Sequence, residues 1–160
     1  MKTLVIYDSV FGNTGKIAHA MGEALVPQED VAVVQVGTLA PEQLEGLTCL
    51  IVGSPTRKFR PTGAILRLLK SISKNGLSGV TVAAFDTRIP ASEIEKIRVL
   101  ALLVKWFGYA AKPIADRLKK MGGRLATAPE GFYVGGTEGP LLEGELERAK
   151  VWARRIIAAE

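Results

Sequence analysis

The chain has 160 residues, of which 48% are hydrophobic and 23% are charged. This length favours one globular domain over residues 1–160, and this apolar content excludes a mainly disordered chain. With 21 Lys and Arg against 16 Asp and Glu, the formal net charge is +5, an excess more typical of a solvated basic face than of a surface for nucleic acid or another acidic partner.

The first half of the chain alternates strand-like and helix-like segments. Residues 3–7 (TLVIY) form a short apolar run typical of a strand buried on both faces, and apolar residues at helical spacing follow it. Residues 31–36 (VAVVQV) and 48–52 (TCLIV) are two more β-rich runs, and we predict that both are inner strands. Residues 62–75 have one apolar face, and Asn75-Gly76 is predicted to end that helix.

The second half continues this alternation. Residues 80–85 (VTVAAF) predict a fourth strand, and residues 124–128 with 132–134 predict a fifth that Pro129-Glu130-Gly131 interrupts. One helix before the fifth strand ends at Gly122-Gly123, and another after it starts near Pro140. Strands that alternate with helices pair in parallel through right-handed crossovers, so we predict an α/β, doubly wound open sheet with helices on both faces.

One predicted helix is additional to this alternation. Ser92-Glu93-Ile94-Glu95 fits a capping box, and the helix that it opens is predicted to run through residues 99–107 (VLALLVKWF). This helix is too short to span a membrane, and it is apolar on more than one face. Packing on the domain, cover for a bound ligand through Trp106 and Phe107, and a homodimer contact are the open interpretations.

The loop after the first strand has the composition of an anion site. Ser9 and Thr14 place hydroxyls at both ends of a turn that contains Gly12 and leads into a helix. The loop is not a P-loop, because Val10 occupies the first glycine position, and it lacks the dinucleotide fingerprint. Helix capping is the alternative role of the two hydroxyls, but their presence at both ends of the turn favours phosphate binding.

Two strings resemble a known family. Tyr7-Asp8-Ser9-Val10-Phe11-Gly12-Asn13-Thr14 resembles the phosphate loop of flavodoxin-like proteins, and Gly53-Ser54-Pro55-Thr56 resembles the start of their second flavin loop. The resemblance extends over essentially the whole chain in element order and length. It implies a flavodoxin-like three-layer fold, with a five-stranded parallel sheet of order 2-1-3-4-5 that binds FMN noncovalently.

The resemblance also implies a set of cofactor-binding residues. The phosphate would be bound by amides and hydroxyls of the first loop, residues 55–60 would flank one side of the isoalloxazine ring, and residues 86–88 would contact its pyrimidine edge through the backbone. Arg57 stands where many flavodoxins have tryptophan, so Phe59 is the aromatic candidate of the second loop. The implied residues are Ser9, Val10, Phe11, Gly12, Asn13, Thr14, Pro55, Thr56, Arg57, Phe59, Asp86, Thr87 and Arg88.

The remaining chemistry-bearing residues are assigned no role. Cys49 is the only cysteine, so it cannot form an internal disulfide, and the chain has no Cys/His spacing typical of a metal site. His19 is predicted to face solvent on the first helix, and the glycine-rich residues 135–139 are predicted to be a flexible connection. The lone cysteine and the short apolar run at the N-terminus predict a cytoplasmic protein with no membrane partner. The interpretation of the charge excess as a solvated basic face predicts no nucleic-acid partner.

The sequence leaves three functions open. The leading prediction is an FMN-binding protein that transfers electrons between redox partner proteins, and the basic excess would suit partners with acidic surfaces. An FMN-dependent NAD(P)H or quinone oxidoreductase is the enzymatic alternative, because Arg57, Lys58, Arg60 and Arg88 could bind a nucleotide phosphate or an anionic substrate. The third possible function is that of a non-redox binding module with the same fold, since fold alone does not determine function.

Overall fold

The structure, a computed structural model, describes residues 2–26, 30–94, 96 and 98–159, and at residues 100, 106 and 107 it describes the backbone only. The strands are β1 (Lys2–Tyr7), β2 (Asp30–Gln35), β3 (Cys49–Pro55), β4 (Thr81–Arg88), β5 (Arg124–Leu125) and β6 (Glu130–Tyr133). The helices are α1 (Asn13–Leu25), α2 (Gly63–Ser71), α3 (Ala91–Ile94), α4 (Arg98–Phe107), α5 (Ala111–Lys120) and α6 (Glu145–Ala158). Two short 3₁₀ helices, Val36–Thr38 and Pro41–Leu44, lie between β2 and β3.

The strands form one parallel sheet in the order β2-β1-β3-β4-β5, which confirms the predicted fold class and strand order. The fifth position is split between two short strands that both pair with β4. β5 lies opposite Thr81 and Val82, and β6 lies opposite the segment from Phe85 to Arg88. The predicted interruption is therefore present, but Glu130 and Gly131 belong to the second strand rather than to the break.

Three predictions about the elements are wrong in detail. β2 is an edge strand with several exposed side chains, not an inner strand, because among the described strands it pairs with β1 alone. α2 ends at Ser71, before the predicted Asn75-Gly76 stop. The additional helix is two helices, and Ser92 lies inside α3 rather than at its cap; Glu95 lies outside the described residues.

Alternate residues of the strands build two separate hydrophobic cores. Leu4 and Val52 face α2 and α5, where they pack with Ile114. Val5 and Phe85 face α1 and α6, and the buried Cys49 lies on the same side. Each fully buried aliphatic or aromatic side chain contributes about 1.5–3 kcal/mol relative to an exposed one, so both faces of the sheet stabilise the strands whose ends carry the site.

The sheet topology positions a crevice at the carboxyl ends of β1 and β3. The chain leaves β1 toward β2 on one side and leaves β3 toward β4 on the other, so the two connecting loops diverge between these adjacent strands. Gly53 at the end of β3 allows the ring of Phe85 to approach, since a Cβ at this position would lie 2.0 Å from the ring. None of the described helices is long and apolar enough to cross a membrane.

Candidate functional site

The carboxyl ends of β1, β3 and β4 open into one cavity of about 260 Å³. The three loops predicted from the sequence all contribute to its walls, and the structure brings every predicted site residue to the lining except Gly12, Phe59 and Asp86. Lys58, which belongs to the predicted second loop, also lines the cavity, and sequence reasoning missed four other lining residues, which are Ile89, Val134, Gly136 and Thr137.

The first loop presents backbone amides at the N-terminus of α1. The Ser9 hydroxyl accepts hydrogen bonds from the amides of Gly12, at 3.0 Å, and Gly15, at 3.4 Å. Gly12 occupies the N-cap position of α1 with φ of 90°, and as a glycine it has no side chain with which to cap the helix. Amides of a first helical turn attract an anion, because the helix dipole adds to their own partial charge.

Thr14 and Asn13 connect the first loop to the other walls. The buried Thr14 Oγ1 lies 2.8 Å from Thr87 Oγ1, so Thr14 joins the first and third loops rather than capping the helix. The Asn13 Nδ2 donates to the carbonyl of Glu138 at 3.0 Å. These contacts fix the relative positions of the cavity walls.

The segment predicted to be a flexible connection, residues 135–139, is part of the cavity. Gly136 and Thr137 line it, and Gly139 packs so closely against Asn13 that a Cβ there would lie 2.6 Å from its Nδ2. The signal available in the sequence was the position of this segment directly after the predicted fifth strand. Because the strands are parallel, the carboxyl end of the fifth strand lies at the same edge of the sheet as the other loops.

The second loop is a tight hairpin beside the cavity. The backbones of Arg57 and Arg60 exchange two hydrogen bonds of 2.9 and 3.0 Å, and the residues between them, Lys58 and Phe59, have φ of 47° and 66°. A two-residue turn with two positive φ values normally contains Asn or Gly. Thr56 fastens the base of the hairpin, because its amide donates to Thr87 O and its hydroxyl accepts from the Ala110 amide.

Of the two aromatic residues predicted at the site, Phe11 lines the cavity and Phe59 does not. Phe59 is half-buried in the hairpin turn and does not line the cavity. Phe11 lines it, and the Cζ of Arg57 lies 5.7 Å from the centroid of its ring. A guanidinium at this distance from an aromatic ring gains a weak cation–π attraction, which links the first and second loops.

The third loop contains a buried ion pair that the sequence analysis did not predict. Asp86 is fully buried, and its carboxylate accepts two hydrogen bonds from Arg88, of 2.6 and 2.7 Å, and one from the Ala111 amide, of 2.8 Å. Burial raises the pKa of Asp86 above its ordinary value, and the hydrogen bonds and charge of Arg88 oppose that rise. The side chain of Asp86 therefore orients Arg88 instead of lining the cavity.

Arg88 is enclosed on several sides. Its Cζ lies 3.8 Å from the ring centroid of Tyr109, and a Cβ at Gly131 would lie 2.1 Å from its Nε. Residues two apart on a strand share a face, so the spacing of Asp86 and Arg88 was the available signal for their pairing. The charge of Arg88 is thus compensated within the fold.

The three cations of the second loop differ from Arg88 in this respect. The side chains of Arg57, Lys58 and Arg60 are exposed, and in the part of the chain that the structure describes no carboxylate lies within ion-pair distance of them. The third loop of the cavity therefore carries one ion pair whose charges balance. The second loop carries three positive charges that no carboxylate of the described residues balances.

Comparison with known proteins identifies the fold. No protein-family model and no curated protein matches the sequence. Solved structures do match: a flavodoxin from the domain Archaea has 22% identity and a TM-score of 0.77 over 99% of this chain and 97% of its own. Oxidised Flavodoxin 1 from Bacillus cereus has 15% identity and a TM-score of 0.78 over 99% and 98%.

A flavodoxin, WrbA-like protein from Agrobacterium tumefaciens is also similar, with 18% identity and a TM-score of 0.71 over 98% of this chain and 96% of its own. The chain therefore has the flavodoxin-like fold over nearly its whole length. At these identities the likeness establishes the architecture, and the chemistry of the site has to be argued from its own residues.

Proposed function

We propose that this protein binds FMN noncovalently in the cavity and transfers electrons between redox partner proteins in the cytoplasm. The observation that carries the proposal is the convergence of three loops on one cavity, with Asn13 and Thr14 of the first turn of α1 at one end. The similarity to solved flavodoxins supports it at the level of the fold. The lone buried cysteine is consistent with a reducing compartment.

The donor set suits a flavin phosphate. The hydroxyls of Ser9 and Thr14 and the backbone amides of Asn13 and Thr14 in the first turn of α1 can all hydrogen-bond to a phosphate, and we assign its position to this loop. Bound FMN would supply the redox chemistry, as a carrier of one or two electrons. The contribution of the chain is to hold the phosphate, to enclose the ring system between its loops and to limit the access of water.

We assign the ring system to the remaining walls. Phe11 and Arg57 border the cavity on one side, and Thr87 and Arg88 border it on another. Because Asp86, which also accepts from the Ala111 amide, holds Arg88 in place, the third loop offers a rigid backbone edge rather than a mobile charge. A rigid edge is well suited to fixing the orientation of a planar ligand.

An FMN-dependent NAD(P)H or quinone oxidoreductase is the second candidate. The observation in its favour is the set of three cations on the hairpin that have no carboxylate partner among the described residues. Exposed guanidinium groups at a cofactor site can bind the phosphate of a nicotinamide nucleotide. The two candidates share the flavin and differ in whether a small molecule or a protein delivers the electrons.

The absorbance spectrum of the purified protein, with and without NAD(P)H, tests these proposals. A visible flavin spectrum that persists when NADPH is added is the result expected for the electron-transfer protein. Rapid bleaching by NADPH without an added reductase would favour the oxidoreductase. A colourless protein that takes up no added FMN would contradict both and favour a non-redox binding module.

A further inference from the structure

Two exposed apolar side chains and three exposed cations lie together at the mouth of the cavity. Val10 and Phe11 in the first loop are 52% and 45% exposed, although large hydrophobic side chains usually bury more of their surface. Arg57, Lys58 and Arg60 in the hairpin are also exposed. We call these five residues the mouth patch.

The patch is continuous across the two loops. The Cζ of Arg57 lies 5.7 Å from the ring centroid of Phe11, and both residues line the cavity itself. The hairpin is held by two backbone hydrogen bonds between Arg57 and Arg60. Its two turn residues adopt positive φ values that non-glycine residues seldom take. Such strain is typical of functional loops, and here it fixes cations at the rim.

The charge of the patch determines which partner it fits. An apolar centre with a polar rim is the usual anatomy of a protein interface. The three cations of this rim have no carboxylate partner among the residues that the structure describes, so the rim is complementary to carboxylates. A second copy of this chain does not fit, because three cations would face three cations. Two apolar side chains are also too few to insert stably into a lipid bilayer.

We propose that the mouth patch is the docking surface for an acidic protein that carries a redox centre. This inference deepens the proposed function and rests on it, since electron transfer requires the partner's centre to approach the cavity. Val10 and Phe11 would contact the partner, while the hairpin cations would increase the rate of encounter. Electrostatic steering of this kind raises association rates by about 10- to 1000-fold and weakens as salt is added.

A pair of probes with the same redox centre and opposite charge tests the proposal. Cytochrome c is basic, and succinylation of its lysines makes it acidic without changing the haem. The FMN-loaded protein is reduced and mixed with each form in a stopped-flow instrument over a range of ionic strength. We expect the acidic form to react about tenfold faster or more at low salt, and we expect this preference to vanish at high salt.

Two charge-matched variants separate the patch from the overall charge. The mouth variant is Arg57→Glu/Lys58→Glu/Arg60→Glu, and the control variant is Lys74→Glu/Lys119→Glu/Lys120→Glu, three exposed lysines near the amino ends of the strands. Each variant changes the net charge from +5 to 5 − 6 = −1. We expect the mouth variant to lose the preference for the acidic probe and the control to retain most of it. Equal losses in both variants would overturn the proposal.

Amide chemical shifts make the docking test independent of flavin binding. Succinylated cytochrome c is titrated into the isotope-labelled protein without FMN, and shifts concentrated in residues 10–11 and 57–60 are the expected result. Such shifts in a protein that fails to bind FMN would contradict the proposed function and retain the docking surface. Shifts elsewhere, or binding of the patch to phosphatidylserine vesicles but not to the acidic cytochrome, would overturn the docking proposal.

Discussion

At the scale of single residues, the Thr14 hydroxyl connects two of the loops that form the cavity. Replacing Thr14 with Ala removes a hydrogen bond to the proposed phosphate, which is worth about 1.5–3 kcal/mol for a charged acceptor. We therefore expect FMN affinity to fall about ten- to a hundredfold in a fluorescence titration.

Two variants control for the Thr14–Thr87 contact. Thr14→Ser retains the hydroxyl and is expected to retain most of the affinity, whereas Thr87→Ala breaks the 2.8 Å contact and leaves Thr14 as a donor. If Thr87→Ala weakens FMN binding as strongly as Thr14→Ala does, the role of Thr14 is to join the loops and not to bind phosphate.

The ion pair of Arg88 and Asp86 predicts a stability effect. Arg88→Gln leaves the carboxylate of Asp86, which is fully buried, without its charged partner. Loss of one member of a buried pair costs about 3–5 kcal/mol, so we expect a corresponding decrease in the free energy of unfolding by urea. Arg57→Gln, on the exposed hairpin, should change it by less than about 0.5 kcal/mol.

The double variant Asp86→Asn/Arg88→Gln shows whether the unpaired carboxylate is the cause. Because it removes both charges, we expect it to be more stable than Arg88→Gln alone. A double variant that is as unstable as the sum of the two single variants would mean that the contacts of Arg88 with Tyr109, rather than its charge, account for the loss.

Tyr109 predicts how stability depends on alkaline pH. Its partial burial raises the pKa of its phenol above the ordinary value of 10.0, although the charge of Arg88 opposes this. Above pH 10 the unfolded chain therefore releases this proton before the folded chain does, and stability falls as pH rises through that window. The unfolding free energy of the parent should fall more steeply above pH 10 than that of Tyr109→Phe. Parallel profiles would contradict this.

Prediction from sequence was more accurate for the loops that meet than for side-chain directions. The glycine and hydroxyl pattern of the first loop sufficed to predict a turn that leads into a helix, and this loop lies at the cavity. The direction of the Phe59 side chain depends on the positive φ values of the hairpin, and the sequence Lys-Phe does not predict such values. The sequence therefore could not show that Phe11 lines the cavity and Phe59 does not. The carboxylate of the buried Asp86 accepts a hydrogen bond from the amide of Ala111, and the sequence did not indicate this contact because the two residues are 25 positions apart.

At the scale of secondary-structure elements, α4 is the helix whose exposed apolar side chains still need an explanation. Its Val99 and Leu102 are 70% and 57% exposed, so packing on the chain does not bury this face. The side chains of Trp106 and Phe107 lie outside the described residues, and their proposed role as cover for the flavin stays a prediction. Exposed apolar side chains in one helix are typical of interaction sites, and we propose that α4 forms a homodimer contact through residues 99–107.

Sedimentation measures this contact directly. We expect the parent protein to sediment as a dimer and Leu102→Lys to sediment as a monomer. Leu146→Lys, a matched change at another exposed leucine, in α6, should remain dimeric. A parent protein that sediments as a monomer would contradict the homodimer proposal, and the exposed apolar side chains of α4 would then require a different partner.

The boundaries of elements show where local pattern is insufficient. The apolar run of β2 resembles that of an inner strand, yet its position at the edge is set by the topology of the whole sheet. The capping box at residues 92–95 predicted one continuous helix, but α3 already begins at Ala91, after Pro90. Proline is well suited to a position just before or at a helix start, and this local preference prevailed.

At the scale of the whole molecule, the fold was predictable because every level of the sequence agreed. Mostly apolar inner strands, helices with one apolar face and turns at their ends all indicated a doubly wound parallel sheet. That sheet in turn requires the loops after β1, β3 and β4 to meet at one edge. What the sequence did not indicate was the fourth wall of the cavity, the segment after β6, because its glycines are equally typical of a flexible connection.

The most direct test of the account is a comparison of FMN with riboflavin in equilibrium titrations of the flavin-free protein. The two ligands share the isoalloxazine ring and differ in the phosphate, which we assign to the hydroxyls of Ser9 and Thr14 and the amides of the first turn of α1. Several charge-assisted hydrogen bonds, each worth about 1.5–3 kcal/mol, predict that FMN binds at least about a hundredfold more tightly, with one site per chain. Equal affinities for FMN and riboflavin, or binding of neither, would contradict the assignment of this cavity as an FMN site.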